Sequence, residues 1–227
     1  MSIIDFLFPK FCLGCGCPGT YICTDCRKRI IPFEKSRCLY CNKSSYIGLT
    51  HPSCCKRLNI DGITIIFQYN PFMRKVVKSI KYRLAREVFR ELTININPSH
   101  LESLLKMKRV YGKALIQPIP LEKSRFLKRG FNQSVLIARF FSRILGLKVA
   151  DYLKRSAPSD PQAELKSRSR RYGNIRGVFT LRPDSSLDNK TFVLVDDVVT
   201  TGATVREAAR VLKKNGAKRV YVLSLCR

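Results

Sequence analysis

Two adjacent carboxylates, Asp196 and Asp197, end the continuous apolar run Thr191-Phe192-Val193-Leu194-Val195. Thr200, Thr201, Gly202, Ala203 and Thr204 follow within one turn. A β-branched apolar run without polar alternation is the pattern of a buried parallel strand. Beyond the turn, Val205, Ala208, Ala209 and Leu212 share one face of an amphipathic helix running to Lys214. Strand, acidic pair, hydroxyl-rich turn and helix start together make a cradle for a sugar phosphate. Backbone N–H groups and the positive helix end suit the phosphate, and carboxylates accept hydrogen bonds from sugar hydroxyls. A strand can also end in Asp and pass through a Gly turn into a helix with no ligand at all. An acidic pair directly at the strand end, with three threonines and a glycine behind it, favours the cradle.

A second chemistry is written in the cysteines. Nine of the ten precede residue 56, leaving only Cys226 elsewhere. The first set is Cys12-x2-Cys15 with Cys23-x2-Cys26, two tight knuckles that can complete a tetrahedron around zinc. The second is Cys38-x2-Cys41 with His51-x2-Cys54, a Cys₃His set in which His51 stands where a regular ribbon has cysteine. Cys55 competes with Cys54, Cys17 is a spare beside the first set, and an ordinary loop histidine is the other reading of His51. Four protein ligands each, with no open position, make these structural sites. A head of this size has little core, so metal would supply much of its folding free energy.

Composition bounds what surrounds these groups. The chain has 227 residues, 45% hydrophobic and 26% charged, as a globular protein does. No apolar run approaches the roughly 20 residues that span a bilayer. The opening Met1-Ser2-Ile3-Ile4-Asp5 lacks the basic start of a signal peptide, so cytoplasmic residence is the expectation. Lys and Arg number 43 against 16 Asp and Glu, a formal charge of +27. A polyanion partner follows from that charge, as does plain solubility.

The elements that must position the site read as follows. Ile63–Tyr69 is a strand, and Phe72–Leu92 a helix with Met73, Val76, Val77, Ile80, Leu84 and Val88 inward. Its other face, with Arg74, Lys75, Lys78, Lys81, Arg86 and Arg90, suits a phosphate backbone or a solvated surface. Residues 101–107 form a short helix. Ala114–Pro120 is a second buried strand. The basic loop after it carries Arg125 and Arg129 and would lie beside the phosphate turn, placed for a second anion such as pyrophosphate. A helix over 132–145 turns Ile137, Phe140, Phe141 and Ile144 inward and stops at Gly146. The Arg-rich stretch 156–177 is a mobile lid or a solvated linker.

The order of residues around Asp196 and Asp197 resembles the 5-phosphoribosyl-1-diphosphate (PRPP) motif of type I phosphoribosyltransferases. The resemblance implies that Asp196 and Asp197 take the ribose hydroxyls while Thr200, Thr201, Gly202, Ala203 and Thr204 wrap the 5′-phosphate. The whole chain is similar to the ComF family of competence-associated proteins. The matching residues are Leu7-Phe8-Pro9, Lys81-Tyr82, Pro118-Ile119-Pro120-Leu121, Arg125 and Arg129-Gly130-Phe131-Asn132-Gln133. Gln162, Leu165, Arg171, Asn174, Phe179 and Leu225-Cys226-Arg227 continue the match. Glu122 departs from it, standing where the family commonly has histidine.

The fold so implied is α/β: a type I phosphoribosyltransferase-like parallel sheet with helices on both faces, preceded by a double zinc ribbon. The ribbon covers 1–60 and the phosphoribosyltransferase-like domain 61–227, with the basic segment at about 156–177. Pro120, Leu121, Arg125, Arg129 and Arg171 join the ligand set, the arginines toward pyrophosphate. Mg²⁺ and PRPP are the implied ligands, with single-stranded DNA and a helicase-type protein as partners in natural transformation. Three functions compete: a DNA-uptake factor that binds PRPP and single-stranded DNA, an active phosphoribosyltransferase with an unidentified acceptor, and a PRPP-sensing adaptor without turnover.

Overall fold

The computed structural model describes residues 9–82, 85–96, 98–156, 177–183 and 186–227. In the cysteine-rich head a single helical turn, α1 (Thr24–Arg27), follows Cys23. β1 (Gly62–Phe67) is buried along its whole length. Asn70 then starts α2 (Pro71–Ile80), its side chain accepting a hydrogen bond from Met73 N at 2.8 Å, with proline in the first turn. α3 (Ala85–Ile94), α4 (Pro98–Tyr111), β2 (Leu115–Pro118) and α5 (Lys123–Arg129) follow. α6 (Gln133–Leu145) runs from an Asn132 cap to a left-handed Gly146 (φ 68°). β3 (Leu153–Arg155) and β4 (Phe179–Leu181) form an antiparallel ribbon, and β5 (Thr191–Val198), α7 (Ala203–Lys214) and β6 (Arg219–Cys226) close the chain.

The sheet is parallel throughout, in the order β1-β6-β5-β2. Alternate residues feed two cores. Val193, Val195, Tyr221, Leu223 and Leu225 pack with α2, α3, α4 and α6. Phe192, Leu194, Val220 and Val222 pack with α7 and the β3–β4 ribbon on the opposite face. The head straddles the β1 edge: Cys12, Tyr21, Ile22, Cys26 and Ile30 join the first core, Leu39 and Ile60 the second. Between its halves the chain lies antiparallel to β1, with Phe33 N donating to Ile66 O and Gln68 N to Ile31 O. That segment covers an edge otherwise open to pairing.

Three local expectations are corrected. The helix over 72–92 is two helices. α2 ends at Lys81, whose N–H returns to Lys78 and Ser79 carbonyls and whose side chain leaves the solvent face for Asp197. The basic loop after Pro120 is partly helical, α5, ended by Gly130 at φ 75°. β5 does not stop at the acidic pair but pairs through it, Asp196 opposite Ser224 and Val198 opposite Cys226. In α6, Ala138 and Leu145 are the buried partners of Ile137 and Phe141, while Phe140 and Ile144 are half-buried. Leu7, Phe8, Leu84, Gln162, Leu165, Arg171, Asn174 and the lid expected over 156–177, apart from its end residues Ser156 and Gly177, lie outside the described residues.

Candidate functional site

The site stands at the C-terminal edge of the sheet, where β5 passes into α7. Asp197 is 6% exposed and meets Lys81 Nζ at 2.6 Å through Oδ2, an ionic contact rather than an aligned hydrogen bond. Its Oδ1 accepts from Val198 N at 3.0 Å. Asp196 Oδ1 accepts from Asp197 N at 3.0 Å and from the Ser134 hydroxyl at 3.3 Å. Burial, and then the charge of Asp197, push the Asp196 carboxyl up to about 7. One carboxylate is thus charge-compensated, while its neighbour sits poised between two protonation states.

Beyond Val199 the turn brings Thr200 and Thr201 to the surface, and Gly202 opens α7 in the left-handed region at φ 78°. Thr201 Oγ1 accepts from Ala203 N at 3.4 Å. On the neighbouring strand, Ile119 N donates to Val195 O at 2.9 Å, and Ile119 O accepts from Asn132 Nδ2 at 2.9 Å. Pro120 and Leu121 therefore leave the sheet beside the acidic pair. Arg125 is exposed and 3.4 Å from Glu122 Oε2, and Arg129 donates to Gln133 Oε1 at 3.1 Å. Both lie on α5, Arg125 engaged with the α5 cap and Arg129 with α6 rather than with the acidic pair.

Three contributors have roles that the sequence does not announce. Ser134 sits in the first turn of α6 and reaches Asp196 because that helix packs on β5. Lys81 belongs to the Lys81-Tyr82 match and to the basic face of the expected helix, and the break after α2 turns it inward to Asp197. Arg155, on β3, has its guanidinium 5.5 Å from the Phe179 ring centroid. Burial lowers its proton affinity, while the charges of Glu122 and Asp196 oppose that and Arg125 adds to it. The ribbon's placement thus sets Arg155 within electrostatic reach of Glu122 and Asp196.

The cysteines form two clusters. Ligand atoms of Cys12, Cys15, Cys23 and Cys26, and those of Cys38, Cys41, His51 and Cys54, lie within 4.8 Å of one another in each group. Both sets fit a tetrahedral ion, and Cys17 and Cys55 belong to neither. His51 Nδ1 is 3.2 Å from Cys41 Sγ, and its Nε2 faces Ser44 O at 2.9 Å, which orients the ring for a metal at Nδ1. Burial alone would raise the Cys12 and Cys38 thiols, but backbone N–H groups of the knuckles bring both down to about 6, toward the thiolate that ligates metal. Gly14 is required by close approach, since a Cβ there would overlap Cys26 Sγ. Glu91 Oε2 ties the first knuckle to α3, accepting from Thr20 Oγ1, Tyr21 N and Ile22 N at 2.7, 2.8 and 2.9 Å.

A parallel sheet with helices on both faces, an acidic pair at a strand end and a glycine turn into a helix define a phosphoribosyltransferase-type protein. In agreement, a model of the phosphoribosyl transferase domain matches residues 132–227. The chain is 30% identical to the DNA utilization protein YhgH of Escherichia coli strain K12, covering 96% of this chain and 97% of that one. It is 27% identical to Competence protein F of Haemophilus influenzae, covering 91% and 90%. Among solved structures, a purine phosphoribosyltransferase from Pyrococcus horikoshii Ot3 aligns at 23% identity and a TM-score of 0.34, over 56% of this chain and 79% of that one. The chain belongs to the ComF family. No described helix is long and apolar enough to cross a membrane.

Proposed function

We propose that this chain is a ComF-type DNA-uptake protein that binds PRPP with Mg²⁺ at the Asp196–Asp197 turn and single-stranded DNA on its basic surface. The observation that carries the PRPP reading is the carboxylate pair at the end of β5, Asp197 buried and Asp196 half-buried, braced by Lys81 and Ser134 and followed by the Gly202 turn. The printed names of the relatives, a competence protein and a DNA utilization protein, support the cellular setting. The formal charge of +27 suits a nucleic acid partner. Zinc in both cysteine clusters holds the 1–60 head, and the reduced thiols it needs suit the cytoplasm.

In this reading Asp196 and Asp197 accept hydrogen bonds from the ribose hydroxyls. Backbone N–H groups of residues 200–204 and the start of α7 hold the 5′-phosphate. Mg²⁺, bound with PRPP, supplies charge neutralisation for the diphosphate. Arg125, Arg129 and Arg171 extend that neutralisation. With turnover, a nucleophile bonds to ribose C1 as the C1–O bond breaks and its electron pair leaves with pyrophosphate, through an oxocarbenium-like transition state. The protein's work is then to orient the ribose and exclude water. A phosphoribosyltransferase of unidentified acceptor is the second reading, supported by the acidic pair and the Gly202 turn standing together at the sheet edge.

The test is thermal unfolding with PRPP and Mg²⁺. The parent should gain stability with ligand, and Asp196→Ala combined with Asp197→Ala should lose that gain. No ligand-dependent shift in the parent sinks the PRPP site. Incubation of labelled PRPP with bases, amines and single-stranded nucleic acids then separates turnover from sensing.

A further inference from the structure

Gly202 opens α7 against the second cysteine knuckle. A Cβ at this position would lie 3.2 Å from Leu39 Cδ1. Leu39 is 4% exposed and shares its hydrophobic cluster with Val205, Ala208 and Ala209 of α7. Arg206, in the first turn of α7, reaches the same knuckle from its flank. Its Nη2 donates to Leu39 O at 2.9 Å, and its guanidinium lies 4.8 Å from the Tyr40 ring centroid. Tyr40 Oη in turn accepts from Ile60 N at 2.8 Å. Leu39 and Tyr40 are the two residues between Cys38 and Cys41, so the loop that wraps one metal ion is also the wall behind the phosphate turn.

Arg206 has little else to do. Among the described residues no carboxylate pairs with it, and its Nε is buried without a hydrogen-bond partner. A buried guanidinium edge left unsatisfied costs free energy, which the Leu39 carbonyl and the Tyr40 face offset. The first knuckle offers no such contact with α7; it packs in the other core and is tied to α3 through Glu91.

We infer that Leu39 and Arg206 are positioning residues for the 200–204 turn, so that ligand geometry at Cys38, Cys41, His51 and Cys54 sets how well that turn receives a phosphate. The inference rests on the phosphate-site reading above. A two-residue knuckle closed on an ion has one backbone shape. Opened, it no longer holds the Leu39 side chain against Gly202 or the Leu39 carbonyl toward Arg206. Coupling of this kind is reciprocal: a phosphate ligand on the turn slows loss of the second metal ion and leaves the first unaffected.

The test uses the full zinc-loaded chain and the variants Arg206→Lys, Leu39→Ala and His51→Ala. Arg219→Lys, at the opposite end of β6, is the control. PRPP–Mg²⁺ affinity is measured by calorimetry, and amide exchange of residues 200–206 is followed without ligand. Arg206→Lys and Leu39→Ala should weaken PRPP about tenfold, within the usual range of allosteric coupling. All three variants should speed exchange at 202–205, and Arg219→Lys should change neither readout. A colorimetric chelator in excess Mg²⁺ should remove one of two zinc ions more slowly when PRPP is present. Parent-like PRPP affinity and parent-like exchange in Arg206→Lys and His51→Ala overturn the coupling and leave the phosphate site standing. A parent that binds no PRPP overturns the phosphate site, and the exchange comparison then decides by itself whether the knuckle holds the turn. Arg206→Lys keeps charge and bulk, so a folding failure of Leu39→Ala does not remove the test.

Discussion

Lys81 Nζ stands 2.6 Å from Asp197 Oδ2, joining the end of α2 to the end of β5. The lysine comes from the cap of a helix and the aspartate from the last paired residues of β5. Their meeting compensates one of two adjacent carboxylates, while burial and the charge of Asp197 push the Asp196 carboxyl up.

Removing the lysine should strand Asp197 as an uncompensated buried charge. Lys81→Met is expected to cost about 2–3 kcal/mol of unfolding free energy, at the low end for a broken buried pair because Lys81 keeps some solvent. Urea unfolding at pH 8 measures it. The double variant Lys81→Met with Asp197→Asn should recover most of the loss. A single variant as stable as the parent at pH 8 would show that the pair contributes nothing.

The raised Asp196 carboxyl makes stability depend on pH. Its folded value of about 7 exceeds the ordinary carboxylate value of about 4, so between these two the folded chain binds more protons than the unfolded one. Its contribution to stability therefore falls as pH rises through that window. Asp196→Asn removes the penalty: the variant should melt above the parent at pH 8, by about 2–4 °C for each kcal/mol relieved, and the gap should narrow toward pH 4–5. PRPP binding runs the other way, because the ionised carboxylate is the better acceptor. Affinity should rise from pH 6 to 8 in the parent, and the Asn variant should lose that Asp196 component. A melting gap that ignores pH would contradict the assignment.

Metal analysis of the purified chain should find two zinc ions. His51→Ala should keep one, because the first cluster has a complete set of four thiolates. Gly14→Ala should lose the other, since the added methyl overlaps Cys26 Sγ. One ion in the parent would retire the His51 site.

Single-stranded DNA binding should weaken steeply with salt, the logarithm of affinity falling with a slope of about −0.7 for each phosphate neutralised. Charge reversal at Arg74, Lys75 and Lys78, exposed on α2, should flatten that slope. Lys81→Met should change it little, because Lys81 is engaged with Asp197. Salt-independent binding, or none, would remove nucleic acid as a partner.

The buried strand ahead of Asp196, the glycine turn, the helix stop at Gly146 and both cysteine sets were legible because each is a local pattern. Period, spacing and residue type suffice to read them. The helix over 72–92 was misread for a related reason. Its apolar stripe continues in phase past Ile80, and nothing local announces that Lys81 has a partner far along the chain. The α5 turn is short and charged, so it reads as a loop until Gly130 and the neighbouring strand end confine it.

By itself the sequence determined which groups stand close together: two carboxylates before a glycine turn, and two sets of four Cys and His side chains at metal-ligand spacing. Those are properties of residue types at short spacing, and short spacing survives any fold. Only the tertiary structure decided how the groups act on one another. It set half-buried Asp196 against Ser134, gave Lys81 to Asp197, and gathered Cys54 rather than Cys55 with Cys38, Cys41 and His51. It also set the second knuckle against Gly202 while sending the first to the other face of the sheet. Burial, charge pairing and packing depend on distances between segments remote in sequence, and the order of parallel strands sets those distances.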